Sequence, residues 1–148
     1  FFSFTFGGDV LGMVAADTVM NIIKREQVIK YIHKIGTKLN EGIKNIIEEH
    51  GIKKYVSISG YPARSALTFS NDGFDGLLIK SIFQQESIKR GILTAGWHAP
   101  SYAHTDEDVK KTLDIYYEAF KKIYKGIEDK KLETLLKGNM VKEVFRKL

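Results

Sequence analysis

A small α+β fold, an antiparallel sheet backed by helices, is the architecture this 148-residue chain predicts. Three observations carry it. Residues 26–49 repeat apolar side chains every third or fourth position, as an amphipathic helix does. Tyr55-Val56-Ser57-Ile58-Ser59 and Arg64 to Phe69 instead carry the alternation of strands with one covered face. Finally, Thr105 followed by Asp106, Glu107 and Asp108 is a helix start, with a capping hydroxyl and negative charge in the first turn.

The remaining elements follow in order. Phe2-Ser3-Phe4-Thr5-Phe6-Gly7-Gly8 leads into a helix over Val10 to Ile23, with Asp9 as its cap. Val10, Leu11, Met13, Val14, Val19, Ile22 and Ile23 are too widely distributed for one narrow stripe, which predicts a largely buried helix. Gly12, Ala15 and Ala16 permit close approach by a neighbour. Val28, Ile32, Ile35, Leu39, Ile43, Ile46 and Ile47 form the apolar face of the long helix, and Gly51 stops it. Gly60-Tyr61-Pro62 is expected to turn the chain between the two strands, whose pattern leaves open whether they pair directly. Gly76 to Lys89 reads as a third helix ended by Gly91, Ile92 to Ala95 as a short strand, and Trp97 to Tyr102 as irregular. The helix begun by Thr105 presents Val109, Leu113, Tyr116, Tyr117, Phe120 and Ile123, and Gly126 ends or bends it. A short helix at Leu132 to Leu136 precedes a basic tail, residues 138–148, expected to be loosely ordered.

Composition narrows the function classes. The chain is long enough for one core. It has no cysteine, which excludes a disulfide framework and cysteine-ligated metal centres. No apolar run reaches the roughly 20 residues that span a bilayer. The net charge of +5 is spread evenly: residues 1–104 carry 12 Lys or Arg against 9 acids, and residues 105–148 carry 11 against 9. Without aromatics interleaved among the basic pairs this is a solvated surface, not a nucleic-acid face. His98 and His104 are six residues apart across a proline with no acidic cluster beside them, which is no recognised metal spacing. Two glycines and a hydroxyl ahead of a helix outline an anion site, though they serve a tight turn equally well, and no P-loop or dinucleotide pattern follows.

Read with Gly91-Ile92-Leu93-Thr94 and Ala103-His104-Thr105-Asp106-Glu107-Asp108-Val109, the opening segment resembles the C-terminal part of the class III pyridoxal-phosphate-dependent aminotransferases, nearest their glutamate-1-semialdehyde aminomutase branch. The resemblance runs from Phe1 to about Tyr124. It implies the small C-terminal domain of a fold-type I enzyme, preceded by helices of a larger domain: residues 1–25 end the cofactor-binding domain and residues 26–148 form the small domain. It implies pyridoxal phosphate as cofactor, amino-group transfer through Schiff-base intermediates, and a cytoplasmic homodimer with shared active sites acting on a small-molecule amino donor and acceptor, with neither nucleic acid nor membrane as partner. By position, Thr5 is the residue that reaches the cofactor phosphate across the dimer. The Schiff-base lysine belongs upstream of Phe1, so this chain supplies no catalytic residue and is expected to be inactive alone. Many class III members carry a carboxylate-binding arginine in the stretch matching Trp97 to Ala103. Here that stretch has none. Arg64, the one arginine in an expected strand, is the candidate substrate clamp. The competing reading is a non-enzymatic α+β interaction module that docks through Phe1 to Phe6 and the first helix.

Overall fold

A computed structural model of the chain describes residues 6–142. Thr5, with residues 1–4 and 143–148, lies outside them. Among the described residues four helices and three strands follow one another as α1 (Val10–Arg25), α2 (Val28–Glu49), β1 (Val56–Tyr61), β2 (Arg64–Phe69), α3 (Gly76–Lys89), β3 (Trp97–His98) and α4 (Asp106–Glu128), with a 3-10 turn at Leu132–Leu135. The sheet is antiparallel in the order β1-β2-β3.

The two strands left open by the pattern pair directly, Val56 opposite Phe69 through Tyr61 opposite Arg64. Their connection is the two residues Pro62 and Ala63, so Gly60 and Tyr61 belong to β1 rather than to the turn. Gly60 tolerates this because its positive φ of 106° and the Arg64 carbonyl close by leave no room for a Cβ. Val56, Ile58, Leu67 and Phe69 face inward; Ser57, Ser59, Tyr61, Arg64, Ala66 and Thr68 face out.

The core fills the space between that inner face and α2, α3 and α4. At its centre Phe83 lies 5.3 Å from Phe120 in a stacked pair and 4.8 Å from Tyr116 in an edge contact, with Ile43, Ile79, Ile82 and Ile123 fully buried around them. Glu86 is buried at the back of α3 and is held by Arg90 at 2.5 Å and Lys122 at 2.6 Å. Although its burial alone raises the pKa, these cations and a Gln85 bond bring the carboxyl down to about 2. Thr105 forms the full capping box with Asp108 that the acidic first turn calls for.

Four expectations need correction. The first helix is not buried: no residue of α1 is, and Leu11 is 80% exposed, because within the described residues only α2 lies against it. The long helix begins at Val28 instead of Glu26, since Gln27 takes a left-handed φ of 51° that breaks it from α1. No strand forms at Ile92 to Ala95. Gly96, at φ 89°, turns the chain there; its amide bonds Thr94 Oγ1 and its carbonyl accepts from Leu67, so pairing with β2 starts at Trp97. Gly126 does not end α4, which runs on to Glu128; the missing side chain lets Leu132 and Leu135 pack against the last turn.

Candidate functional site

The pairing of β2 with β3 brings together residues that lie 33 positions apart. Trp97 sits opposite Ala66 on the outer face of the sheet, which makes it the diagonal neighbour of Arg64, and the guanidinium carbon is 5.9 Å from the centre of the indole ring. Tyr61 completes the row opposite Arg64. Trp97 is 64% exposed and Tyr61 78%, so this is an open aromatic platform with a cation on it. Among the described residues no carboxylate lies within ion-pair distance of Arg64. None of its five N–H donors is thus held by a carboxylate among the described residues.

Behind the platform is a small cavity of about 150 Å³ between α2, the Ile92 to Pro100 segment and the first half of α4, lined by Thr94, Trp97, His98, His104, Asp108 and Tyr116 among others. His98 is buried, and burial pulls its pKa down to about 4. Burial likewise raises the Tyr116 phenol, although its bond to Thr94 opposes this. Asp108 is lowered by the Thr105 amide and hydroxyl of the capping box. His104 accepts from the Ser101 amide through Nδ1, and the Tyr31 hydroxyl donates to the His104 carbonyl, tying the Pro100 to Thr105 loop to α2.

The residues singled out in sequence do not all meet. Arg64 and Trp97 do; His98 turns to the opposite face of the sheet, and His104 lines the cavity. Thr5 lies outside the described residues. Gly7 and Gly8 lie in a turn closed by the next two amides: Asp9 N donates to Phe6 O and Val10 N to Gly8 O. Asp9 caps α1 as expected, accepting from Gly12 N at 3.2 Å. The Asp9 carboxylate sits at that helix start, where it opposes a phosphate placed close to it. No lysine among the described residues is buried. An amine-binding carbonyl cofactor needs a sheltered amine, and the described residues supply none.

Three members of the site escaped the linear pattern. Ser65 on β2 and Tyr116 on α4 bond His98 at 3.3 and 3.0 Å, and Asn40 on α2 accepts from Ser65 at 2.7 Å. A serine at an inward-facing strand position was the one signal of a buried polar contact there. Among the described residues no group of three His, Cys, Asp or Glu is placed to hold a metal, and no helix is long and apolar enough to cross a membrane.

No family model matches the chain. Among curated proteins it is 26% identical over 129 residues to a 3-aminobutyryl-CoA aminotransferase of Cloacimonas acidaminovorans (strain Evry), covering 84% of this chain and 30% of that protein. It is 29% identical over 136 residues to a glutamate-1-semialdehyde 2,1-aminomutase of Alkaliphilus oremlandii (strain OhILAs), covering 82% and 30%. A third relative, the glutamate-1-semialdehyde 2,1-aminomutase of Thermus thermophilus, is 27% identical over 132 residues, covering 78% and 30%. Among solved structures, the internal aldimine form, with pyridoxal phosphate, of the FumI protein of Sphingopyxis sp. MTA144 shares the fold with a TM-score of 0.67 at 22% identity, over 84% of this chain and 30% of that one. The chain thus spans about 30% of the length of the curated relatives it matches.

Proposed function

We infer that the chain, a relative of the class III pyridoxal-phosphate-dependent aminotransferases and aminomutases, is the C-terminal portion of such an enzyme. The observation that carries this is that enzymes of both kinds align with most of this chain over the same 30% share of their own length. On this reading residues 1–25 end the cofactor-binding domain, and the exposed apolar side chains of α1 are covered by the rest of that domain and by a second subunit. Residues 26–148 form the small domain. The whole protein is a cytoplasmic homodimer.

Pyridoxal phosphate, when bound, supplies the electron sink for moving an amino group. Since the described residues offer no sheltered amine, its Schiff-base lysine comes from elsewhere in the enzyme, and Thr5 contributes a phosphate contact to the partner subunit's site. This chain alone is then inactive. Its own contribution is to the substrate. We assign the substrate carboxylate to Arg64, since the Trp97 to Ala103 stretch holds no arginine; the β2–β3 pairing sets its guanidinium over Trp97. A substrate carboxylate accepts two parallel N–H bonds from it, with the Trp97 ring as a face for the guanidinium.

The test uses the enzyme that contains this chain. A bound-cofactor absorbance band and turnover of an amino donor support the reading. Arg64→Gln is expected to raise KM for a carboxylate-bearing donor about 10- to 100-fold with the cofactor band unchanged, the loss of a charged hydrogen-bond pair. Failure of the protein to bind the cofactor or turn over any donor would favour an interaction module. Conversion of an amino aldehyde without added keto acid separates an intramolecular shift from transfer between molecules.

A further inference from the structure

Two residue pairs, Ser65 with His98 and Ala66 with Trp97, join β3 to the sheet, with one backbone bond more from Leu67 N to the Gly96 carbonyl just before it. That is a slight grip for a strand carrying an indole on its solvent side. The His98 side chain, on the opposite face, adds to it. Nδ1 lies 3.3 Å from Ser65 Oγ, which donates to Asn40 Oδ1 of α2 at 2.7 Å. Nε2 lies 3.0 Å from the Tyr116 hydroxyl of α4. One imidazole therefore ties β3 to a strand and to two helices.

Counting protons sets the direction of these bonds. Asn40 Oδ1 only accepts, so the single Ser65 proton goes there and Ser65 Oγ must accept from Nδ1–H. Among the described residues no carboxylate bonds to the ring, which is buried and neutral, so it carries one N–H and Nε2 must accept from Tyr116. Thr94 Oγ1, 3.4 Å from the Tyr116 oxygen, is the longer and weaker of the two acceptors for that proton, and Nε2 at 3.0 Å is the nearer one.

We propose that His98, locked as the Nδ1–H tautomer between α2 and α4, is the positioning residue that fixes the Trp97 indole beneath the Arg64 guanidinium. Its consequence for ligand binding rests on the reading of Arg64 as a carboxylate clamp. Its hold on Trp97 does not.

The experiment labels the protein that contains this chain with isotope-enriched histidine and with fluorotryptophan, the Trp97 fluorine signal being identified by its loss in Trp97→Phe. In the parent protein at neutral pH, His98 is expected to show a protonated Nδ1 and a bare Nε2. Tyr116→Phe keeps the ring and its packing but removes the donor to Nε2, and His98→Gln removes the bridge; both are expected to shift and broaden the Trp97 signal. Acetate, as a carboxylate probe, is expected to move that signal in the parent, to leave it still in Arg64→Gln, and to bind about fivefold more weakly in Tyr116→Phe. An Nε2–H tautomer in the parent, or a Trp97 signal unchanged in both variants, overturns the proposal. If the tautomer and both variant signals come out as expected and only acetate has no effect on the parent, the role of Arg64 fails while that of His98 stands.

Discussion

Acidification tests the buried imidazole most directly. His98 has its pKa lowered from the ordinary 6.5 to about 4 by burial. Between those values the unfolded chain binds a proton at this residue and the folded chain does not, so stability rises with pH across the window. Full stability from this group is present above pH 6.5, falls as the pH drops toward 4, and levels off below. A shift of this size corresponds to about 3 kcal/mol. That is a large part of the roughly 5–15 kcal/mol that holds a typical domain together. Urea unfolding at a series of pH values measures it, in the parent protein and in His98→Gln. The parent is expected to lose about 3 kcal/mol more than the variant between pH 6.5 and 4. Carboxylates titrate alike in both proteins and cancel in the difference. Parallel curves for the two proteins over that window would refute a neutral, buried His98.

Other perturbations have distinct signatures. Glu86 has its pKa lowered to about 2, so its contribution is present above about 4.5 and is lost as pH falls through 2; Glu86→Gln leaves Arg90 and Lys122 without their carboxylate and should cost about 3 kcal/mol in urea unfolding at pH 7. Gly36→Ala would drive a methyl into the Pro62 carbonyl, pushing the β1–β2 hairpin off α2, and should lower stability by about 1–3 kcal/mol despite the better helix former. Thr105→Ala removes the hydroxyl half of the capping box and should cost about 1 kcal/mol, read as a lower thermal midpoint with the core aromatic signals unchanged.

Elements with strong local signals were legible in the sequence. β2 and α3 have the bounds their periodicity predicts, and Thr105 caps α4 because hydroxyl, acids and apolar run all point to one helix start. What escaped was set by contacts between distant segments. The position of β3 depends on Gly96 turning the chain so that Trp97 meets Ala66, and nothing within residues 92–98 encodes where β2 will lie. The exposure of α1 escaped for a related reason. A helix apolar on several sides announces that it needs cover, and the described part of this chain offers only α2. At the site, Arg64 was visible as a charged residue in a strand, but that Trp97 would lie beside it was not. The convergence of Asn40, Ser65 and Tyr116 on His98 has no linear spacing at all.

The carboxylate clamp proposed at Arg64 rests on a diagonal pair of the sheet. On a pleated sheet, positions at diagonal register on adjacent strands have Cβ atoms about 7–8 Å apart, within reach of a long side chain. An arginine at one such position and an arginine at the other can therefore present their guanidinium groups to the same ligand. Arg64 and Trp97 are such a pair. With the arginine on β2, the β3 position is free to hold an aromatic side chain, which adds a face for the cation. The arrangement then depends on β3 being held in register, and a strand of two residues cannot secure that through its backbone alone. In this fold that register coincides with the one place where an imidazole joins three elements at once.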